Sequence, residues 1–327
     1  MKLLLIDGNA IMHRAFHALP PLTNTDGQLT NAVHGFTNML FTVIDKFHPT
    51  HLIVCFDRPE PTFRKSMYVG YQAHRPKMDD GLSSQFGLVK EILSAMKIPV
   101  YEQAGFEADD VMGTLAHQAS NQQPTINNQH TCSTIIVTGD RDILQLVNEY
   151  VFVYMPVQGL NNGKLYDEKA VEEKFGIRPS QIVDYKALVG DASDNYPGVR
   201  GIGPKTASEL LQQFVTVEAL YEGIKDKDVK AQRLKEKTIK ALSEYAEDAG
   251  MAKQLATIRR DVPVTIDLDK AELHDLGTPE AIEVLERLGM KTTAGRLMAK
   301  EKTGNGTNEQ ISNISNKQDA VEQMTLL

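Results

Sequence analysis

Only two cysteines occur in 327 residues, Cys55 inside the apolar run HLIVCF and Cys132 inside a polar stretch. Two thiols so placed build neither a disulfide framework nor a CxxC metal site. Cys55 reads as a buried thiol packing like a small hydrophobe. Long hydrophobic runs are missing too. The opening MKLLLIDGNA is interrupted by Asp7 well short of a signal-peptide core, and no run approaches a membrane span. The expected address is therefore the cytoplasm, with no membrane partner. Nor is there an excess of positive charge: the net charge is −8, which speaks against a strongly basic binder unless charge of one sign is gathered locally. What the chain does have is 41% hydrophobic residues, enough for a core in one large domain or two ordinary ones.

The apolar residues cluster in short runs. KLLLI (2–6), HLIVCF (51–56) and TIIVT (134–138) read as buried strands of a parallel sheet, with IPVYE (98–102) and YVFVYM (150–155) as further candidates. Between them, residues 32–47, 84–97 and 108–119 carry apolar positions at helical spacing, so the expected class is α/β, a mostly parallel central sheet flanked by helices. Residues 120–133 are polar and Asn/Gln-rich and read as a surface insertion. After about residue 175 the pattern becomes helical, and from about residue 300 it turns to a linker composition expected to be disordered.

In doubly wound sheets, ligands bind beyond the carboxyl ends of the strands. Here KLLLI is followed by Asp7, HLIVCF by Asp57, and TIIVTG by Asp140 and Asp142. To these are added Glu107, Asp109 and Asp110 at the start of a helix, and Asp191 and Asp194, three apart and on one helix face if the preceding helix continues. A single strand-end Asp is commonly a turn or cap residue. Five acidic segments converging on one edge are not explained that way. Two like charges about 4 Å apart repel by roughly 4 kcal/mol at an effective dielectric of 20, so such a nest requires protons or cations. All-oxygen ligation favours Mg²⁺ or Mn²⁺, and this many carboxylates suffice for two ions, the arrangement suited to phosphodiester hydrolysis. Competing motifs fail: His13 and His17 in HRAFH lack the glutamate of a zinc protease, and GVRGIGPKT has Pro204 where a P-loop has lysine.

DYKALVG, PGVRGIG and PKTASELLQQF read as helix, glycine turn, helix. Gly201 and Gly203 permit unusual backbone conformations, Pro204 suits a first helical position, and the helix start with Lys205 and Thr206 is suited to a phosphate. Such a contact reads no bases and grips a duplex by its backbone; the alternative is a plain interhelical turn. Residues 61–80 gather Arg64, Lys65, Arg75 and Lys77 with Phe63, Tyr68, Tyr71 and His74, a mixture suited to a single strand, or else a solvated loop.

LLLIDGNAIMHRAFHALPPL, VCFDRPEPTFRK, YQAHRPKM, GFEADDVMGTLA, VTGDRDILQLV and LVGDASDNYPGVRGIGPKTASELL together resemble the 5′-nuclease family, specifically the 5′→3′ exonuclease domain of bacterial DNA polymerase I and its stand-alone relatives. The resemblance covers roughly residues 1–295. It implies a PIN-like nuclease core over 1–178, an arch at about 61–90, a helix-hairpin-helix subdomain over 179–299 and a tail over 300–327. The nine acids would be metal-site residues, Asp7, Asp57, Asp109 and Asp110 mainly around one ion, Asp140, Asp142, Asp191 and Asp194 mainly around the other, with Glu107 acting directly or through water. Arg14, Arg64, Tyr71 and the hairpin residues Gly201, Gly203, Lys205 and Thr206 would contact DNA, with K⁺ at the hairpin carbonyls. The implied activity is a divalent-metal-dependent 5′→3′ exonuclease and flap endonuclease acting as a monomer on DNA with a 5′ flap, nick or 5′ end and on RNA–DNA primer junctions, in replication and repair at the nucleoid.

Two departures from that pattern stand out. Gln72 occupies the place of the arch lysine that approaches the scissile phosphate, which implies slower chemistry unless Lys65, Arg75 or Lys77 substitutes, and Arg141 replaces a lysine with charge retained. A DNA-binding protein without useful turnover is the alternative that Gln72 keeps open. A related ribonuclease is disfavoured by the hairpin. Finally, QMTLL at the terminus resembles a short sliding-clamp motif, with Gln323, Met324, Leu326 and Leu327 as anchors, the alternative being a frayed end.

Overall fold

The structure, a computed structural model, describes residues 1–121, 132–158 and 162–302. Six strands form the central sheet: β1 (Lys2–Asp7), β2 (His51–Cys55), β3 (Val100–Tyr101), β4 (Ser133–Val137), β5 (Val151–Gln158) and β6 (Asn162–Tyr166). Their order is β3-β2-β1-β4-β5-β6, all parallel except β6, which pairs antiparallel with β5. The chain winds outward through β2 and β3, then returns past β1 to β4. This reversal opens a crevice beyond the carboxyl ends of β1 and β4, the place where such sheets bind ligands.

Near-continuous apolar runs are required because both faces are covered. Alternate residues serve opposite cores. Leu3, Leu5, Ile53, Cys55 and Ile136 pack under α6 (Ala108–Asn121) and the later helices. Leu4, Ile6, Leu52, Val54, Ile135 and Val137 pack under α1 (Gly8–Ala18), α2 (Asn31–Phe47) and α5 (Phe86–Ala95). Cys55 is fully buried, and burial pushes its thiol well above the usual range, so it is an inert packing group.

Residues 61–90 contain only α3 (Phe63–Met67), a run of turns and α4 (Asp80–Ser83) ahead of α5, so the expected arch is short helices joined by turns. Beyond α7 (Glu168–Phe175) the chain is mainly helical. It runs through α8 (Ile182–Val189), a two-stranded hairpin of β7 (Gly190–Asp191) and β8 (Tyr196–Pro197), then α9 (Pro204–Phe214), α10 (Val217–Lys225), α11 (Glu236–Glu244) and α12 (Ala246–Ala256). The last part of the expected helical subdomain does not stay with it. After α13 (Leu268–Ala271), residues of α14 (Pro279–Arg287) and α15 (Lys291–Lys302) return to the sheet, where Ala281, Leu285, Leu288 and Ala294 share a core with α2 and α5. Apolar side chains on α14 need a partner surface, and α5 supplies it.

The polar insertion expected at 120–133 falls largely outside the described residues, although Cys132 at its end is buried. The tail from residue 303, including Gln323, Met324, Leu326 and Leu327, also lies outside them. Among the described residues no helix is long and apolar enough to cross a membrane.

Candidate metal centre and nucleic-acid interface

Strand geometry places the acids. Asp7 ends β1 level with Cys55 on β2, and Ile6 lies level with Val137 on β4, so Asp7, Asp57 and Asp140 emerge at one edge. Each also has a local structural duty. Asp7 caps α1, accepting from the Ala10 N–H at 2.9 Å. Asp57 accepts from the Ala108 N–H at the start of α6 at 2.7 Å, while its own N–H is held by Asn9 Oδ1 at 3.0 Å. Asp140 accepts from the Asp142 N–H at 2.8 Å. Helix N-termini and turn amides thus orient these carboxylates before any ligand arrives.

The acids raise one another's proton affinity. Burial pushes Asp7 up to about 7, with repulsion from Asp57 and Asp140 adding to it. Burial also lifts Glu107 to about 7, against Arg64 and with Asp110, Asp57 and Asp194 adding. Asp142 reaches about 7 through burial and its neighbour Asp140. Asp109 is driven well above the carboxylate range by burial and then by Asp140, Asp7 and Asp57. Asp140 is raised by burial, with Asp194 and Asp191 adding. These mutual influences tie all five acidic segments into one electrostatic cluster.

Asp191 and Asp194 arrive by a different route from the one expected. Helix α8 stops at Val189, and a turn supplies the three-residue spacing: Asp191 Oδ1 accepts from the Ser193 N–H at 2.7 Å and the Asp194 N–H at 3.3 Å. Gly190 and Gly198 make that hairpin possible. Gly190 has φ +76°, and a Cβ on it would stand 2.4 Å from the Gly198 nitrogen. One oxygen from each of Asp142, Asp191 and Asp194 then falls within 4.8 Å of the others, a spacing able to hold a metal ion.

Three residues of this centre escape sequence reasoning. Lys186 on α8 places its ammonium 2.5 Å from Asp142 Oδ1 and in contact with Asp191. Burial alone would discharge it, but the two carboxylates prevail and keep it protonated. The same ammonium and the Ser193 hydrogen bonds hold Asp191 below the usual range despite its burial. Thr138 joins Asp7 to Asp140: its hydroxyl donates to Asp7 Oδ2 at 2.6 Å and accepts from the Asp140 N–H at 3.0 Å. Tyr196 stacks on Tyr71 with ring centroids 6.4 Å apart.

Several expected roles change. Asp110 is fully buried and saturated: Arg64 donates to both its oxygens at 2.6 and 2.8 Å, and the Arg259 and Glu107 N–H groups complete the set at 2.8 and 3.1 Å. No lone pair remains directed at an ion. Arg64 is only 2% exposed, and it also donates to the Leu255 and Thr257 carbonyls, so it is an internal strut rather than a DNA contact. Tyr71 is 3% exposed and donates to Glu107 at 3.1 Å and Asp194 at 3.3 Å, which makes it a positioning group instead of a surface for bases. Lys77 is not brought to the acids; it pairs with Asp80 at 3.0 Å in solvent.

Arg75 is brought there, its Nη2 2.7 Å from Asp194 Oδ1 and its side chain half exposed. Gln72, in the left-handed region at φ 54°, donates from its backbone N–H to the Asp194 carbonyl at 2.8 Å and from its amide to Asp194 Oδ1 at 3.2 Å. Arg14 lies half-buried on α1. In the hairpin, Val199 and Ile202 anchor the turn in the core while Gly201, Gly203 and Lys205 are exposed and Thr206 is half-buried. Only Gly201, at φ +92°, needs to be glycine for its backbone; Gly203 is ordinary extended chain at φ −98°.

An all-carboxylate donor set suits hard divalent cations. Asp142, Asp191 and Asp194 are spaced to hold one such ion, and the Lys186 ammonium already lies between two of them.

Comparison with known proteins agrees with this architecture. Residues 2–176 match the family model of the 5′-3′ exonuclease N-terminal resolvase-like domain, and residues 177–278 match that of the 5′-3′ exonuclease C-terminal SAM fold. The chain is 41% identical over 291 residues to DNA polymerase I of Bacillus caldotenax, covering 89% of this chain and 32% of that protein. It thus spans about a third of the curated relatives it matches. Its fold resembles the T5 5′-exonuclease with bound zinc ions, at TM-score 0.61 and 17% identity over 91% of this chain and 99% of that one. It also resembles the catalytic core of Rad2 in complex with DNA substrate, at TM-score 0.57 and 14% identity over 91% and 92%.

Two measurements check these assignments. Replacing Arg64 by Met strands a buried carboxylate and is expected to cost about 3–5 kcal/mol in denaturant unfolding. Unchanged stability with weakened DNA binding would instead mark Arg64 as a DNA contact. The second measurement concerns pH. Asp7, Glu107 and Asp142 rise from ordinary values of 3.8 to 4.5 to about 7 on folding, so between about pH 4 and 7 the folded chain binds more protons than the unfolded one. Metal-free stability contributed by these three acids therefore falls as pH rises through that window, while groups held below their ordinary values, Asp191 among them, oppose it. Divalent ions need the ionised acids, so added Mg²⁺ is expected to raise the thermal midpoint more at pH 8 than at pH 5. Equal stabilisation at both would contradict the cluster as a metal centre.

Proposed function

The chain belongs to the 5′-3′ exonuclease family, and on that premise we propose that it is a divalent-metal-dependent 5′→3′ exonuclease and flap endonuclease. The observation that carries this reading is the convergence of carboxylates from five segments on one sheet edge, with the Lys186 ammonium among them. Mg²⁺ or Mn²⁺, two per site, would activate water and stabilise a leaving oxygen when bound. Every other contribution comes from the chain's own groups. The hairpin, with Gly201, Gly203 and Lys205 exposed and Thr206 half-buried, holds a duplex through its backbone, with K⁺ at its carbonyls, and so places the scissile bond without reading sequence. Arg75 stands at the rim of the cluster as the cation nearest an incoming phosphate. Arg14 is a further DNA contact.

The substrates of this reading are DNA with a 5′ flap, nick or 5′ end and RNA primers on DNA, handled by a monomer in replication and repair at the nucleoid. A sliding clamp would be engaged through Gln323, Met324, Leu326 and Leu327. The second reading, DNA binding with little turnover, is favoured by Gln72, whose amide is spent on Asp194 rather than offered to a phosphate. Arg75 answers it, because a positioned cation at this rim takes over the missing charge.

Cleavage of 5′-labelled flap, nicked and single-stranded DNA, with Mg²⁺ or EDTA, tests both readings. The expected result is metal-dependent release of flap products, lost in Asp140→Ala and slowed about 10²-fold in Arg75→Gln, with Gln72→Lys faster than wild type by a smaller factor. Tight binding of every substrate without cleavage would reject the nuclease reading.

A further inference from the structure

The chain as a whole carries a charge of −8, yet residues 225–240 hold seven cations against three carboxylates, an excess of four positive charges. Lys225, Lys227, Lys230 and Arg233 occupy the end of α10 and the connection after it. Lys235, Lys237 and Lys240 continue onto α11. All seven are exposed. A mixed surface disperses such charge through ion pairs, but among the described residues none of the seven pairs with a carboxylate. Asp228, in their midst, turns its carboxylate to the backbone N–H groups of Lys230 and Ala231 instead.

The patch has a fixed place relative to the glycine hairpin. Helix α9 begins at the hairpin with Pro204 and ends at Phe214, and Lys230 Nζ donates to the Gln213 carbonyl near that end at 3.0 Å. Eleven residues at 1.5 Å each separate hairpin and patch by about 16 Å. The joint between α9 and α10 is stiff. Val215 sits at φ 71° in a tight turn closed by the Thr216 N–H on the Phe214 carbonyl at 2.9 Å, a conformation strained for a β-branched residue. Gln181 holds it there by donating to the Leu211 and Val215 carbonyls at 2.9 and 2.8 Å, and the Val217 N–H is fastened to buried Asp184 at 2.9 Å.

We propose that residues 225–240 form a second backbone-contact surface for the same duplex, engaging phosphates about five base steps from those at the hairpin, at 3.4 Å per step. This rests on the reading of the hairpin as a duplex grip. The segment contains no aromatic residue, so it offers nothing for unpaired bases to stack on and suits duplex phosphates over a single strand. Two contacts at the ends of one rigid helix fix the axis of the duplex, which a single contact leaves free to swing. The cut then falls at a defined strand and position.

The test uses the full chain in EDTA, where binding is read without cleavage, and compares wild type with the triple variant Lys225→Gln/Lys227→Gln/Arg233→Gln. Lys230 is spared because it fastens the patch to α9. Fluorescence anisotropy on a flap duplex and on a single strand is followed from 50 to 200 mM KCl. Three lost phosphate contacts are expected to make the duplex salt slope shallower by about 2.7 and to weaken duplex binding at 50 mM at least tenfold, with single-strand affinity and thermal midpoint unchanged. A variant that keeps both the slope and the affinity of wild type overturns the patch while leaving the hairpin reading intact. A wild type that binds duplex no better than single strand removes the hairpin reading, and the patch with it.

Discussion

Carboxylates crowded at the carboxyl edge of a parallel sheet cannot all ionise without cations, and the rest of the structure is arranged around that constraint. Burial makes the repulsion severe, since Asp7 is closed off from the water that would screen it and Asp109 and Asp142 are partly so. The chain answers with fixed donors and internal cations. Thr138 and the first N–H groups of α1 and α6 hold individual carboxylates, Lys186 sits between Asp142 and Asp191, Arg64 neutralises Asp110, and Arg75 reaches Asp194. Each of these is a partial remedy. What they leave is a pre-organised oxygen-lined cluster whose remaining charge favours divalent ions.

The internal cations divide into two kinds by what surrounds them. Arg64 has no exposed route and saturates its partner, so its pairing with Asp110 belongs to the framework that carries α3 against α6 and the Leu255–Thr257 turn. Lys186 and Arg75 are less enclosed than Arg64, so each can yield its carboxylate to a stronger cation. Segment 68–75 lies against this cluster, with Tyr71, Gln72 and Arg75 all touching Asp194. From there α8 and the β7–β8 hairpin lead to the glycine turn, and α9 leads on to the basic connection. The acid cluster and the proposed duplex contacts are thus connected through one short run of chain.

The parts of this arrangement that rest on local pattern were legible in the sequence. An apolar run ending in Asp announces a buried strand with an acid at its tip, and Asp7, Asp57 and Asp140 all appear where that rule places them. Long-range contacts were not legible. Arg64 and Arg75 have similar aromatic surroundings in the sequence, and only the packing of α3 against α6, α12 and the turn after it buries one and frees the other. Lys186 follows an ordinary helical pattern, and its role depends on a turn that bends Asp191 back toward it. The i,i+3 spacing of Asp191 and Asp194 suits a helix face if α8 continues, whereas the Gly190–Gly198 contact lies just past its end at Val189 and a turn makes the spacing instead. The return of α14 to α5 left no local trace beyond an amphipathic pattern that any partner surface would satisfy.

The central claim is that this acid cluster is a two-ion site in which Lys186 holds the place of a cation. Anomalous diffraction from crystals of the full chain soaked in Mn²⁺ tests it most directly. The account expects two manganese peaks, one bordered by Asp7, Asp57 and Asp109 and the other by Asp140, Asp142, Asp191 and Asp194, with the Lys186 ammonium moved away from Asp191. Maps without manganese at these carboxylates, or with Lys186 still seated between Asp142 and Asp191 and a single ion elsewhere, would contradict it.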